Sequence, residues 1–362
     1  MPTTIKVAIN GFGRIGRQFF KIYADAKRGV YKQSGSCRIS PRVDVSNLEI
    51  VAINDLTDPQ TLAYLLKHDS VYGIYDADVS FDQTHLIVNG EKCPILAIKE
   101  PEKLPWKDYK VDIVVECTGR FEEYEKAKIH LQQGAKKVII SAPGKGQEGI
   151  DGQTLVLGTH ETMKKLSSND VISNGSCTTN GISPIIQILH SQFGVEKSLM
   201  TTVHAYTAVQ SIVDAPQAKD PRQGRAAGIN IVPHATGAAT SVTSAIPSLK
   251  GLFDGIALRV PVVDGSIADI TAVLKKEVTV EEVNQAFKKA ALDPFFKGII
   301  EVSEESLVST DIIGNPASAV VDLELTRAIG NLVKVFAWYD NEWGYSNRLV
   351  EMTQEIAKTL FK

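Results

Sequence analysis

Short apolar runs alternate with stretches of helical spacing through the first half of the chain. Ile5 to Ile9, Leu48 to Ile53 and Asp112 to Glu116 read as strands, while the segments through Phe19 and Phe20 and over Leu62 to Leu66 read as helices between them. That rhythm predicts βαβ units and a parallel sheet. Val79 to Val88 and Ile95 to Ile98 flank Asn89-Gly90, a dipeptide suited to a tight hairpin turn, so an antiparallel excursion is expected there. A helix over about 124–133, a strand Val138 to Ile140 and a turn at Ala142-Pro143-Gly144 continue the sheet. From about Ser176 longer strand candidates take over: Leu199 to His204, Ile256 to Val262 and Ile270 to Leu274. They indicate a second, mixed α+β domain. Ser346 to Leu360 has its apolar residues close to helical spacing and predicts a terminal helix that must dock.

Composition narrows the partners. A length of 362 residues suggests two domains, and a net charge of -3 gives no field that recruits nucleic acid or acidic lipid. Small molecules are the expected partners, with neither membrane nor nucleic acid implied. The four cysteines, Cys37, Cys93, Cys117 and Cys177, form no C-x-x-C pair, so neither a disulfide framework nor a metal site is expected and a reducing compartment is the default. The N-terminus enters a strand pattern at once and no run reaches the roughly 18 apolar residues of a membrane span, which leaves a cytoplasmic location by elimination. Lys27 to Asn47, with Arg28, Lys32, Arg38 and Arg42 among Gly and Ser, reads as a basic surface loop.

Gly11-Phe12-Gly13-Arg14-Ile15-Gly16 follows the first strand and opens a helix. In that context Gly11 permits the tight turn, Gly13 lets backbone approach a pyrophosphate, and Gly16 lets helix and strand pack closely. The second strand ends in Asn54-Asp55, whose carboxylate could take the adenosine ribose hydroxyls and repel a 2′-phosphate, favouring NAD. Asp55 comes 39 residues after Gly16 rather than about 20, and the Lys27 to Asn47 segment accounts for the excess as an insertion. The fold class is therefore α/β: a Rossmann-type doubly wound domain over 1–175, rejoined by the C-terminal helix 341–362, and a mixed α+β catalytic domain over 176–340.

Ser173-Asn174-Gly175-Ser176-Cys177-Thr178-Thr179-Asn180 precedes a helix predicted over Ile182 to Phe193 and closed by Gly194. A cysteine near a helix N-terminus is a candidate nucleophile, because the positive end stabilises a thiolate. His204 ends a strand 27 residues later and offers a general base that could hold the thiolate as an ion pair. Arg222, Arg225 and Arg259, with Thr207, Thr236 and Gly237, supply donors suited to phosphate oxygens. The other histidines, among them His130 and His234, lie in no comparable constellation.

With these residues in view, the sequence resembles the phosphorylating glyceraldehyde-3-phosphate dehydrogenase family from Ile5 to the C-terminus. The resemblance rests on Ile9 to Arg17, Ser176 to Asn180, Val203-His204-Ala205-Tyr206-Thr207, Arg259-Val260-Pro261 and Trp338 to Asn347. It implies that Cys177 attacks the aldehyde of glyceraldehyde 3-phosphate, that His204 takes the hydroxyl proton, and that inorganic phosphate cleaves the resulting thioester to 1,3-bisphosphoglycerate. It further implies that Thr207 and Arg259 hold the substrate phosphate and that Ser176, Thr178, Thr236 and Gly237 receive the attacking one. Arg14, Ile15, Asp55, Lys99, Ser141 and Asn341 would touch NAD, with Tyr345 near the nicotinamide. Family members are homotetramers whose loop over about 206–231 packs at the subunit core.

The departures are specific. Gly181 stands where the family usually has a second cysteine, Ala235 replaces a usual serine, and Ser211 and Thr240 replace usual lysines. Erythrose-4-phosphate dehydrogenase shares the same motifs and is the nearest alternative activity. A redox-sensing or binding protein that carries NAD without turnover is the other alternative.

Overall fold

The computed structural model describes residues 4–32, 37–218 and 220–361. The chain forms two compact units: one holds the residues up to Leu155, Met163–Ser176 and Ser346 onward, the other Val156–Thr162 and Cys177–Tyr345.

The first unit is built on a nine-stranded sheet. Seven strands are parallel, in the order Gln153–Thr154, Val171–Ser173, Lys137–Ile140, Ile113–Glu116, Ile5–Asn10, Leu48–Asn54 and Glu91–Leu96. The sequence order reverses on either side of Ile5–Asn10, which makes its C-terminal end the switch point where such sheets bind ligands. The strands are nearly continuous in Val and Ile because both faces are covered: Ile113, Val114 and Val115 are all fully buried. Ala8, Ala52 and Val114 pack on one face against Leu104, Trp106, Val111 and Ala135.

The helix Arg14–Lys27 begins where the glycine turn predicts. The Asn89-Gly90 turn forms, with positive φ at both residues, and closes a hairpin in which Val88 faces Glu91. Its arms differ from the expected ones. Val79–Phe81 and His85–Val88 are separate strands, split where Asp82 turns the chain by accepting from the Thr84 N–H, and the second arm is Glu91–Leu96. The helix expected over 124–133 is two short ones, Tyr124–Ala127 and Ile129–Gln132.

The basic segment is not a solvated surface loop. Residues 33–36 lie outside the described residues, but Cys37, Ile39, Ser40, Val43 and Val45 are buried. The segment docks on the C-terminal helix through Ser40 N–H to Asn347 Oδ1 (2.9 Å), Asp44 N–H to Gln354 Oε1 (2.7 Å) and Arg42 Nε to Glu351 (3.3 Å). That helix runs Trp343–Thr359 and so begins before Ser346. Asp340 sets its start by accepting from the N–H groups of Glu342 and Trp343, as an N-cap side chain does.

The second unit is a seven-stranded mixed sheet in the order Val232–Ala235, Phe253–Val260, Val195–Ala205, Ser266–Leu274, Leu332–Tyr339, Ala319–Ile329 and Ile300–Ser303. Cys177–Phe193 is its central helix, buried from Thr178 through Leu189, and Gly194 ends it with φ 72°. The helix thus starts five residues before Ile182, and Cys177 is its first residue.

Candidate active site

In the first unit, the glycine turn packs as its sequence predicts. A Cβ on Gly11 would lie 2.7 Å from the Cys117 carbonyl carbon, and one on Gly16 only 2.3 Å from the Gly11 oxygen. Close packing therefore demands glycine at both. Gly13 meets nothing within 4 Å, so backbone there is open to an incoming group. A cavity of about 320 Å³ opens at this turn, lined among others by Gly11, Gly13, Asp55, Lys99 and Thr118. The combination of an open glycine backbone, a helix N-terminus and a carboxylate at the second strand end fits the pyrophosphate and ribose of a dinucleotide.

Asp55 serves the turn itself as well. One of its oxygens accepts from the Phe12 N–H (2.7 Å) and the other from the Thr57 N–H (3.0 Å). Arg14, Ile15, Gly16 and Ser141 lie outside the cavity lining. Arg14 instead bonds Asp69 at 2.9 Å, as part of a cluster in which Asp69 also receives Gln18 and Lys21. Burial pushes the Asp69 carboxyl up, but the charges of Arg14 and Lys21 outweigh it and hold the group below the usual carboxylate range.

In the second unit, the helix start and two adjacent strands bring the expected pair together. Cys177 Sγ lies 3.3 Å from His204 Nε2. His204 Nδ1 is 2.7 Å from the Ala205 carbonyl, which can only accept; a ring protonated on Nδ1 bonds that carbonyl and turns the Nε2 lone pair to the sulfur. His204 and Arg259 are register partners on parallel strands, which places both side chains on one face. Arg259 Nη1 reaches the same Ala205 carbonyl at 3.0 Å and packs against the His204 ring nitrogen.

The electrostatics follow from burial and from that cation. Burial pushes the Cys177 thiol up, against the Arg259 charge and the Thr178 N–H, which pull it down. Burial and then the Arg259 charge lower the His204 imidazole to about 3. Arg259 thus favours the thiolate and disfavours the imidazolium. Cys93 and Cys117, by contrast, are pushed up to about 12 by burial.

The remaining expected residues lie on several different elements. Thr178 shares its hydroxyl with Tyr339 (3.1 Å), whose OH also meets Thr202 (2.6 Å) and whose ring meets His204 edge-on. Thr236 accepts from the Ala238 N–H, so Thr236 and Gly237 form the N-terminus of the helix Ala238–Ala245. Thr207 opens the loop after His204, and its N–H donates to Gln210. Asn341 accepts from Ser266 Oγ at 2.6 Å, and Ser266 in turn accepts from the Ala205 N–H. Tyr345 is buried in the first turn of the C-terminal helix, and Ser176 is the residue before Cys177. Arg225 is paired with Asp214. Tyr339 stands in the Trp338 to Asn347 motif without a role assigned from sequence, because nothing local marks a tyrosine that meets the site from another strand.

A glycine-turn nucleotide cavity in one unit and a thiol–imidazole pair at a helix start in the other are the parts of a dinucleotide-dependent dehydrogenase. Comparison with known proteins gives the particular family. The family model described as "Glyceraldehyde 3-phosphate dehydrogenase, NAD binding domain" matches residues 5–124, and the one described as "Glyceraldehyde 3-phosphate dehydrogenase, C-terminal domain" matches 176–341. The glyceraldehyde-3-phosphate dehydrogenase of Mycolicibacterium smegmatis is 48% identical over 359 residues, covering 99% of this chain and all of that protein. That of Geobacillus stearothermophilus is 48% identical over 354 residues, 98% of each chain. This chain belongs to the glyceraldehyde 3-phosphate dehydrogenase family.

Proposed function

We propose that this chain oxidises D-glyceraldehyde 3-phosphate with NAD and inorganic phosphate to 1,3-bisphosphoglycerate, as a cytoplasmic homotetramer. The observation that carries the chemistry is the 3.3 Å contact of Cys177 Sγ with His204 Nε2, beside Arg259. A thiol so placed adds to the aldehyde carbon while its proton passes by way of Nε2 to the aldehyde oxygen, which gives a thiohemiacetal on Cys177 and leaves the imidazole neutral again. His204 then takes the hydroxyl proton as the carbon is oxidised to the thioester. NAD, when bound, supplies the two-electron acceptor. Inorganic phosphate displaces Cys177 from the thioester carbon, so the acyl group leaves as an acyl phosphate and the sulfur is restored.

In this proposal Arg259 and Thr207 bind the substrate phosphate, and Ser176, Thr178, Thr236 and Gly237 bind the attacking one. Gly11, Gly13, Arg14, Ile15, Gly16, Asp55, Lys99, Ser141, Asn341 and Tyr345 serve NAD. The N–H groups at the start of Ala238–Ala245, next to Thr236, suit an anion. Homotetramer formation is supported by the exposed apolar side chains Val209, Ile212, Val213, Ile229 and Ile231 in the loop after Thr207. The free thiols of Cys93, Cys117 and Cys177 suit a reducing compartment. Steady-state turnover with glyceraldehyde 3-phosphate and with erythrose 4-phosphate, each with and without phosphate, tests the substrate. Preference for the four-carbon sugar contradicts the assignment, and light scattering tests the tetramer.

A further inference from the structure

Beneath the nucleotide cavity runs a buried chain of polar side chains that the reaction does not use. It joins the ends of the three central strands. Asn54 is fixed first, because its Oδ1 accepts from the Ile98 N–H (3.0 Å) and its Nδ2 donates to the Ile98 carbonyl (3.1 Å). Backbone groups cannot exchange roles, so the amide of Asn54 has one orientation. Its Nδ2 also donates to Asn10 Oδ1 at 2.8 Å, which orients Asn10 and aims its Nδ2 at Glu116 Oε2, 2.5 Å away.

The same logic runs inward from the other side. The indole N–H of Trp106 can only donate, and it meets His130 Nδ1 at 3.0 Å. Nδ1 therefore carries no proton, and the ring's hydrogen is on Nε2, 3.2 Å from Glu116 Oε2. On Glu116 Oε1 converge the N–H of Thr118 (2.7 Å) and its hydroxyl. All five residues of this chain from Asn54 through Asn10, Glu116 and His130 to Trp106 are buried, with Trp106 and His130 fully so.

We infer that Glu116 is a positioning residue for NAD: an acceptor-only carboxylate on which donors from Asn10, Thr118 and His130 converge, holding the cavity wall in register. Asn10, Asn54 and Thr118 line the cavity, and Asn54 precedes Asp55. The polarity is set from both ends, by the Ile98 backbone and the Trp106 indole, and it leaves no place for a donor at position 116. Glu116→Gln keeps the shape but sets an NH₂ against another donor, and relieving that conflict requires Asn10 to turn and then Asn54 to break from Ile98. Asn10→Asp alone places two carboxylates in contact. Combined, the two substitutions remove the conflict between positions 10 and 116, because the new amide at position 116 donates to the new carboxylate at position 10, which still accepts from Asn54; only the His130 Nε2–H then still meets a donor at position 116.

The inference rests on NAD binding in this cavity, so one test does not involve NAD. Nitrogen-15 spectra of the full-length protein labelled in histidine should show His130 neutral and protonated at Nε2 at pH 7. An Nδ1–H ring or an imidazolium overturns the polarity. Calorimetric titration with NAD then compares the parent protein, Glu116→Gln, Asn10→Asp and the double variant. Each single substitution should weaken NAD by at least about tenfold, one unsatisfied buried group being worth that much. The double variant should bind more tightly than either single one. Independent effects would multiply instead, and a double variant weaker than both, or a Glu116→Gln protein that binds like the parent, overturns the inference. If a single variant fails to fold, the double variant should be recovered folded, and its failure alongside them counts against the account equally.

Discussion

Arg259 and His204 meet on one backbone oxygen, the Ala205 carbonyl, with Arg259 Nη1 at 3.0 Å and His204 Nδ1 at 2.7 Å. The guanidinium that suits a substrate phosphate is thereby also a charge acting on the reacting pair. Burial raises the Cys177 thiol and Arg259 opposes it. Removing the cation must move the thiol further up. In Arg259→Gln, the rate of Cys177 alkylation by iodoacetamide should shift to higher pH by about one unit, slowing up to about tenfold at pH 7. An unchanged or downward-shifted profile contradicts this electrostatic coupling.

His204→Gln keeps a polar side chain beside the sulfur but removes the base. Loss of a positioned general base costs about 10²- to 10⁴-fold in rate. The fall should appear in kcat, with little change in KM for NAD, because His204 lies in the unit that does not carry the glycine-turn cavity. A loss confined to KM assigns His204 to binding instead.

Asp69 ties the start of the first helix through Arg14 and Lys21. Its folded pKa lies below the unfolded one, so the stability it contributes is present above the ordinary carboxylate range and is lost as pH falls through the folded value. Asp69→Asn should cost about 3 kcal/mol at pH 7 by stranding the buried Lys21 charge. The gap between the two melting curves should narrow below about pH 4, the ordinary carboxylate value. A gap that stays constant with pH contradicts the assignment.

Glu351 is held between buried Arg348 and the half-buried Arg42 of the inserted segment. Burial raises its carboxyl, and the two guanidinium groups oppose that rise. Glu351→Ala leaves Arg348 without this partner and should destabilise the protein by about 3 kcal/mol in chemical denaturation. Activity per folded molecule should be unchanged, since neither arginine lies in the cavity or beside Cys177. Lost activity at full stability gives the insertion a different role.

The elements legible in the sequence are those whose signal is local. The Gly11 turn, the Asn89-Gly90 hairpin and the Gly194 stop each appear where a backbone preference demands them. Two further local signals are present in the chain without entering the sequence reading. Thr279 and Glu282 form a capping box that starts the helix Val280–Leu292, and Gly330-Asn331 turns Ala319–Ile329 into Leu332–Tyr339. The inserted segment reads as a surface loop because its charges are conspicuous, while the alternation of Val43 and Val45 covers too few residues to register. At the site, Cys177 and His204 can be named from helix start and strand end, but their contact is set by the packing of the helix Cys177–Phe193 on the strand Val195–Ala205. The convergence on Glu116 joins residues 106 positions apart in sequence, and no local pattern announces it.

The central claim is an oxidation through a cysteine thioester that phosphate, not water, resolves. NADH formation from glyceraldehyde 3-phosphate, followed with and without inorganic phosphate in the parent protein and in Cys177→Ser, tests it most directly. Sustained turnover that requires both phosphate and Cys177 is the predicted result. Equal turnover without phosphate, or turnover that survives Cys177→Ser, contradicts it.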